Sequence, residues 1–206
     1  YWNSLPETER PKLYLFGLSL GSLGSEASPP VHAWLGNSFD GAVWAGPPFR
    51  NQLWRTVQRD RDESSPAWRP TFEGGANFRV IGHGNSANQD GAKWGRVRVV
   101  YIAYPSDAIV FFQEGMFFRA PQWMSAPRAD DVSPLLQWFP IITALQVGID
   151  MMFAAAVPPG RGHNYAIEDY IEAWSEVTAP PNWSDADAVK LADQISAQAA
   201  MHSSSW

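Results

Sequence analysis

Three short apolar runs, each closed by glycine or proline, constrain this chain most: LYLFG at residues 13–17, DGAVWAGPP at 40–48 and RVRVVYIAYP at 96–105. Each reads as a short buried strand, the last being the strongest because it is apolar and β-branched up to Pro105. Between the first two, LGSLGSEAS is small enough to pack closely as a helix, and Pro29-Pro30 ends it. After the second, FRNQLWRTVQRD sets Phe49, Leu53, Trp54 and Val57 at helical spacing. Strand, helix, strand, helix is the order of a parallel sheet with helices on its faces.

The remaining segments fill in around that sheet. SLPE and Pro11 read as the end of a helix and its exit. Residues 60–95 form a polar excursion, charged in RDRDESSPAWRP and glycine- and asparagine-rich in EGGANFRVIGHGNSANQDG, with a hairpin expected through Phe78 to Ile81. WFPIITALQVGIDMMFAAAV, residues 138–157, has the length of a membrane span but contains Pro140, Gln146, Gly148 and Asp150. A charge near the bilayer centre costs roughly 3 kcal/mol, so a buried helix is the expectation. Two amphipathic helices close the chain within residues 165–201, and Ser184 with Asp187 makes a cap for the second.

With 206 residues, 45% of them hydrophobic, one packed domain is expected. The net charge of -6 comes with scattered basic residues rather than a stripe, which argues against nucleic acid as a partner. The absence of cysteine removes thiolate chemistry and leaves the compartment open. YWNSLPETERPK lacks the basic start and apolar middle of a secretory signal. No two histidines stand at ligand spacing, so no metal is expected, and no cofactor motif was found.

The chemistry-bearing feature follows the first strand. Gly17-Leu18-Ser19-Leu20-Gly21 fits GxSxG, a turn that pushes a serine oxygen clear of the backbone between strand and helix. Five residues with three fixed are a weak pattern; the strand before and helix after are the context it requires. An acid and then a histidine should follow along the chain. Asp107 leaves the carboxyl end of the strongest strand, where catalytic groups gather in parallel sheets; Asp130, Asp131 and Asp150 compete, the first two in a polar turn read as a solvated helix start, the third within the apolar segment. His163 lies in the loop PPGRGHNY ahead of a helix, whereas His32, His83 and His202 occupy less suitable places. In such a triad His163 would take the Ser19 proton, Asp107 would hold its tautomer, and the Leu20 N–H would supply one oxyanion donor. The aromatic stretch beyond Asp107, with Phe111, Phe112, Phe117, Phe118 and Trp123, is a candidate wall for an apolar acyl pocket, although such runs also build cores.

RPKLYLFGLSLGSLGSE, FDGAVWAGPP, VVYIAYPSDAIVFF, WFPIITALQVGIDMMFAAAVPPGRGHNY and YIEAWSEV resemble, in order and spacing, the catalytic domain of a bacterial family of predicted membrane proteins, α/β-hydrolase family 9. The resemblance covers residues 1 to about 178. It implies that Ser19, Asp107 and His163 match the family's triad, and that the chain is the C-terminal portion of an α/β-hydrolase sheet lacking its first strands. A preceding segment or a second chain would then supply those strands and a loop for the second oxyanion donor. Where the family often carries an acidic residue just before the serine, this chain has Leu18. The expected activity is that of a serine esterase or lipase on a small-molecule or lipid-like ester. An amidase or peptidase on the same triad and a non-catalytic binding module with a hydrolase shape remain open.

Overall fold

The computed structural model describes residues 2–29, 39–82, 84, 86–87 and 92–203. Four strands form one parallel sheet: β1 Tyr14–Leu18, β2 Gly41–Ala45, β3 Phe78–Ile81 and β4 Arg98–Ile102, in the spatial order β1-β2-β4-β3. One rung runs across all four strands through Phe16, Val43, Val100 and Arg79. The central strand β2 is buried at every position, which is why GAVWA shows no polar alternation.

Successive strand residues point to opposite faces and so divide the core in two. Ala42, Trp44, Val99 and Tyr101 pack on one side with Trp54 of helix α2, Gln52–Arg59, and with the short helix α3, Ala108–Phe111. The helix after the serine, α1, Leu20–Ala27, lies on this side too, because Trp44 Nε1 donates to Ser25 Oγ at 2.9 Å. Val43, Ala45, Val100 and Ile102 pack on the other side with Ala173 and Val177 of α5, Ile167–Thr178. The last helix, α6, Asp185–Ser203, packs on α5, and its cap is the expected one, with the Ser184 hydroxyl donating to Asp187 Oδ2 at 2.6 Å.

A buried carboxylate locks α1 to its surroundings. Glu26 accepts from the Leu53 N–H at 2.7 Å, the Asn51 amide at 3.0 Å and the Tyr101 hydroxyl at 3.1 Å. With its lone pairs met by several donors, the charge is tolerable inside, and the segment after Ser19 is fixed in place.

Three expectations change. Phe78 to Ile81 is a parallel edge strand beside β4 rather than part of a hairpin. The turn-rich residues that follow look local in sequence, but the partner strand lies across a long connection. Arg79 secures this edge: it is buried, its guanidinium stacks 3.9 Å from the Trp94 ring, and it bonds Gly75 O, Ala92 O and Glu176. Burial lowers its pKa from the usual guanidinium value, against the opposing pull of Glu176. The second change is at the apolar segment. It becomes α4, Ile142–Phe153, which buries only Thr143, Ala144 and Val147, while Ile142, Leu145 and Ile149 stand 56% exposed. The helix touches the core with a single stripe, and its other apolar residues meet solvent beside Gln146 and Asp150. Among the described residues no helix is long and apolar enough to cross a membrane. Third, the chain start has 3₁₀ turns at Trp2–Ser4 and Glu7–Glu9, with Trp2 Nε1 bonded to Pro11 O, instead of the end of an α-helix.

Candidate active site

The carboxyl ends of β1, β2 and β4 bring three loops to one edge of the sheet. Ser19 stands directly after β1, with φ 54° and ψ -123°, a conformation that L-residues rarely adopt and that costs about 1–3 kcal/mol. Its N–H reaches across to Ala45 O at 2.9 Å, and its carbonyl accepts from the Ser22 and Leu23 N–H groups and from Ser22 Oγ. A serine at a helix start ordinarily caps with its side chain, but this one makes no such bond. The strained turn therefore leaves the hydroxyl free of the helix cap. Leu20 opens α1, where no carbonyl of the helix can reach its N–H.

The two glycines of the turn are not equivalent. A Cβ on Gly17 would lie 2.4 Å from Gly21 O, so α1 can approach β1 only over a glycine. A Cβ on Gly21 would meet nothing within 4 Å. Close packing accounts for the first glycine alone.

Asp107 follows β4 by way of Pro105 and is fully buried. Its Oδ1 accepts from the Ile109 N–H at 2.9 Å, which caps α3. Its Oδ2 lies 2.6 Å from His163 Nδ1 and accepts the Tyr165 hydroxyl as well. An ionised carboxylate can only accept, so Nδ1 carries the proton and Nε2 presents a lone pair in the neutral ring. His163 Nε2 is buried and has no hydrogen-bond partner among the described residues. The Tyr165 pKa is raised well above the usual phenol value, by burial first and by the Asp107 charge second, so its hydroxyl stays a donor at neutral pH.

The histidine loop is held from several sides. Its own backbone closes with His163 N–H to Ala154 O and Gly160 N–H to Asn164 O, both at 2.7 Å. The Gly162 N–H donates to Ser106 Oγ at 3.0 Å, and Asp131 Oδ2 accepts the Ser106 N–H at 2.9 Å. Asp131 thus anchors the acid loop, and both it and Asp130 lie in a turn instead of the helix start expected from sequence. Asp150 is exposed on α4 and has no part in this network. His32 and His83 fall outside the described residues, as does the side chain of His202.

Gly46, just past β2, is the close neighbour that sequence reasoning missed. Its φ is +55°, and a Cβ there would stand 2.4 Å from His163 Cε1 and 2.9 Å from the Tyr165 ring. The imidazole therefore lies directly on this glycine, one residue beyond the carbonyl that binds the Ser19 N–H. The prolines after Gly46 were legible as a strand stop, but no local signal marks a backbone site reserved for a ring more than a hundred residues away. Gly46→Ala should displace the ring and lower hydrolytic turnover at least about 10²-fold while the fold persists, and turnover within about threefold of the parent would count against that role.

The aromatic residues expected to line a pocket separate. Phe111 and Trp123 border a cavity of about 440 Å³ beside Asp107, together with Val132, Leu136 and Val147. Phe112 faces a different cavity, against Phe49 at 5.0 Å between rings. Phe117 packs against the core and Phe118 is 79% exposed. Among the described residues no group of three histidine, aspartate or glutamate side chains is placed to hold a metal ion.

A parallel sheet with helices on both faces and a serine turn at its carboxyl edge define an α/β-hydrolase type of protein. A family model described as an alpha/beta-hydrolase family matches residues 1–191, and the chain belongs to that family. No curated protein and no solved structure matches the chain. Membership points to hydrolase chemistry without naming a substrate.

Proposed function

We propose that this protein is a serine hydrolase that cleaves carboxylic esters through an acyl-enzyme, with Ser19 as nucleophile, His163 as general base and Asp107 as the acid that orients it. The observation that carries this reading is the 2.6 Å contact of His163 Nδ1 with Asp107, which leaves a buried Nε2 with no partner among the described residues, at the sheet edge that also holds the Ser19 hydroxyl, free of any cap bond. His163 Nε2 accepts the hydroxyl proton as Ser19 Oγ bonds to the ester carbonyl carbon. The oxyanion forms against the Leu20 N–H, the alkoxide leaves with the proton from His163, and water repeats the sequence to release the acid. The cavity bounded by Phe111 and Trp123 offers an apolar place for an acyl chain.

A second reading has one observation in its favour. Among the described residues no hydrogen bond reaches His163 Nε2, from Ser19 Oγ or any other group, and the Leu20 N–H is one oxyanion donor where two are usual, which suits a binding module that keeps the hydrolase shape. Catalytic contacts often tighten only around bound substrate, which keeps the enzyme reading ahead. A preceding segment or second chain would supply the other donor.

A fluorophosphonate probe and a series of nitrophenyl esters separate the readings. The enzyme labels with the probe and hydrolyses esters, with long acyl chains preferred if the cavity holds the chain. An unlabelled protein without turnover is the outcome that favours the binding module. Turnover of anilides in place of esters would move the assignment to an amidase.

A further inference from the structure

Four of the arginines stand close together in the sequence, between residues 50 and 61, and the fold sets them around one concave space. Arg50, Arg55, Arg59 and Arg61 line one cavity of about 390 Å³, with Glu114 the only carboxylate lining it among the described residues. This concentration of positive charge occurs on a chain whose net charge is -6. Phe49 and Phe112 form an aromatic wall of the same cavity.

The charges there are only partly answered. Arg59 pairs with Asp60 at 2.7 Å, an exposed neighbour contact of the kind that contributes little. Arg61 donates to the backbone carbonyls of Gln58 and Ser65, which orient its guanidinium without neutralising it. Arg50 stacks over the Phe49 ring at 5.6 Å and has no ion pair among the described residues. The Arg55 guanidinium has no hydrogen-bond or ion-pair partner among the described residues, and it stands one helical turn from Arg59, where like charges repel. Planar guanidinium forks converging on a concave space fit the oxygens of a tetrahedral anion, and local charge of one sign draws such an anion in.

We propose that this cavity is an anion site that takes a phosphate-type dianion, gripped by Arg50 and Arg55 with Arg59 and Arg61 adding charge, the apolar part of the ligand lying on Phe49 and Phe112. The site is separate from the serine chemistry and does not depend on it. Its walls nevertheless spring from the loops that carry that edge of the sheet, since Phe49 follows Gly46 and Phe112 follows Asp107 within a few residues.

The test titrates the full chain with inorganic pyrophosphate by calorimetry, and with phosphatidic acid vesicles against phosphatidylcholine vesicles by sedimentation. Saturable binding that falls with added chloride is expected. Arg50→Gln/Arg55→Gln should weaken it at least about tenfold, Arg50→Lys/Arg55→Lys by less because charge stays while the fork is lost, and Lys190→Gln on α6 should leave it unchanged. Binding of pyrophosphate with the same sensitivity assigns a soluble phosphate ligand, and sensitive binding of phosphatidic acid vesicles alone assigns a lipid head group. Absence of binding to both probes, or binding that the glutamine pair leaves untouched, overturns the proposal. Ser19→Ala should bind as the parent does, so failure of the hydrolase reading would not be mistaken for failure of this one.

Discussion

Ser19→Ala is expected to abolish fluorophosphonate labelling and to lower ester turnover by about 10⁶, the largest single loss any side chain here should produce, because under the proposed mechanism it removes the atom that would form the covalent bond. The fold should survive. Alanine meets the same strain as serine at φ 54°, and the hydroxyl makes no cap bond that its removal would break. Unchanged thermal stability with complete loss of labelling is therefore the expected pair of results. Persistent labelling would place the nucleophile elsewhere and sink the assignment.

Asp107→Asn should lower turnover about 10⁴-fold with little change in shape. Asp107 accepts from three donors: Ile109 N–H, His163 Nδ1–H and the Tyr165 hydroxyl. An amide replaces one accepting oxygen with an NH₂ group. If that group faces the imidazole, Nδ1 must accept, the proton moves to Nε2, and the ring can no longer take the serine proton. If it faces Ile109 instead, the α3 cap is lost. Steady-state turnover, with near-ultraviolet dichroism to follow the packing of Tyr165, distinguishes a lost tautomer from a lost fold. A decrease of less than about tenfold would mean that His163 does not depend on this carboxylate.

Much of the architecture was legible because it rests on short-range rules. Glycine and proline ended each apolar run, and the alternation of strand and helix fixed a parallel sheet. Ser19, Asp107 and His163 could be picked out because the first two follow strands and the third lies in a glycine-framed loop. What could not be read were contacts between distant segments. Arg79 looks like one more charge in a polar excursion, yet it is buried against Trp94 and Glu176 at the sheet edge. The apolar residues 142–153 carry no mark that tells the buried stripe of Thr143, Ala144 and Val147 from the exposed remainder.

The amino-acid sequence by itself determined the fold class and the candidates for chemistry, since hydrophobic runs, chain breakers and a serine between glycines are properties of neighbouring residues. Tertiary structure decided which groups meet. It made Gly46 the floor beneath His163, Tyr165 a third donor to Asp107, and Phe111 and Trp123 the aromatic residues beside the cavity, and it brought Phe112 to the cavity that Arg50 to Arg61 line. The reason is physical: each of those arrangements depends on how close two parts of the chain approach after packing, and close approach is set by the sheet register and the buried faces of the helices rather than by any local pattern.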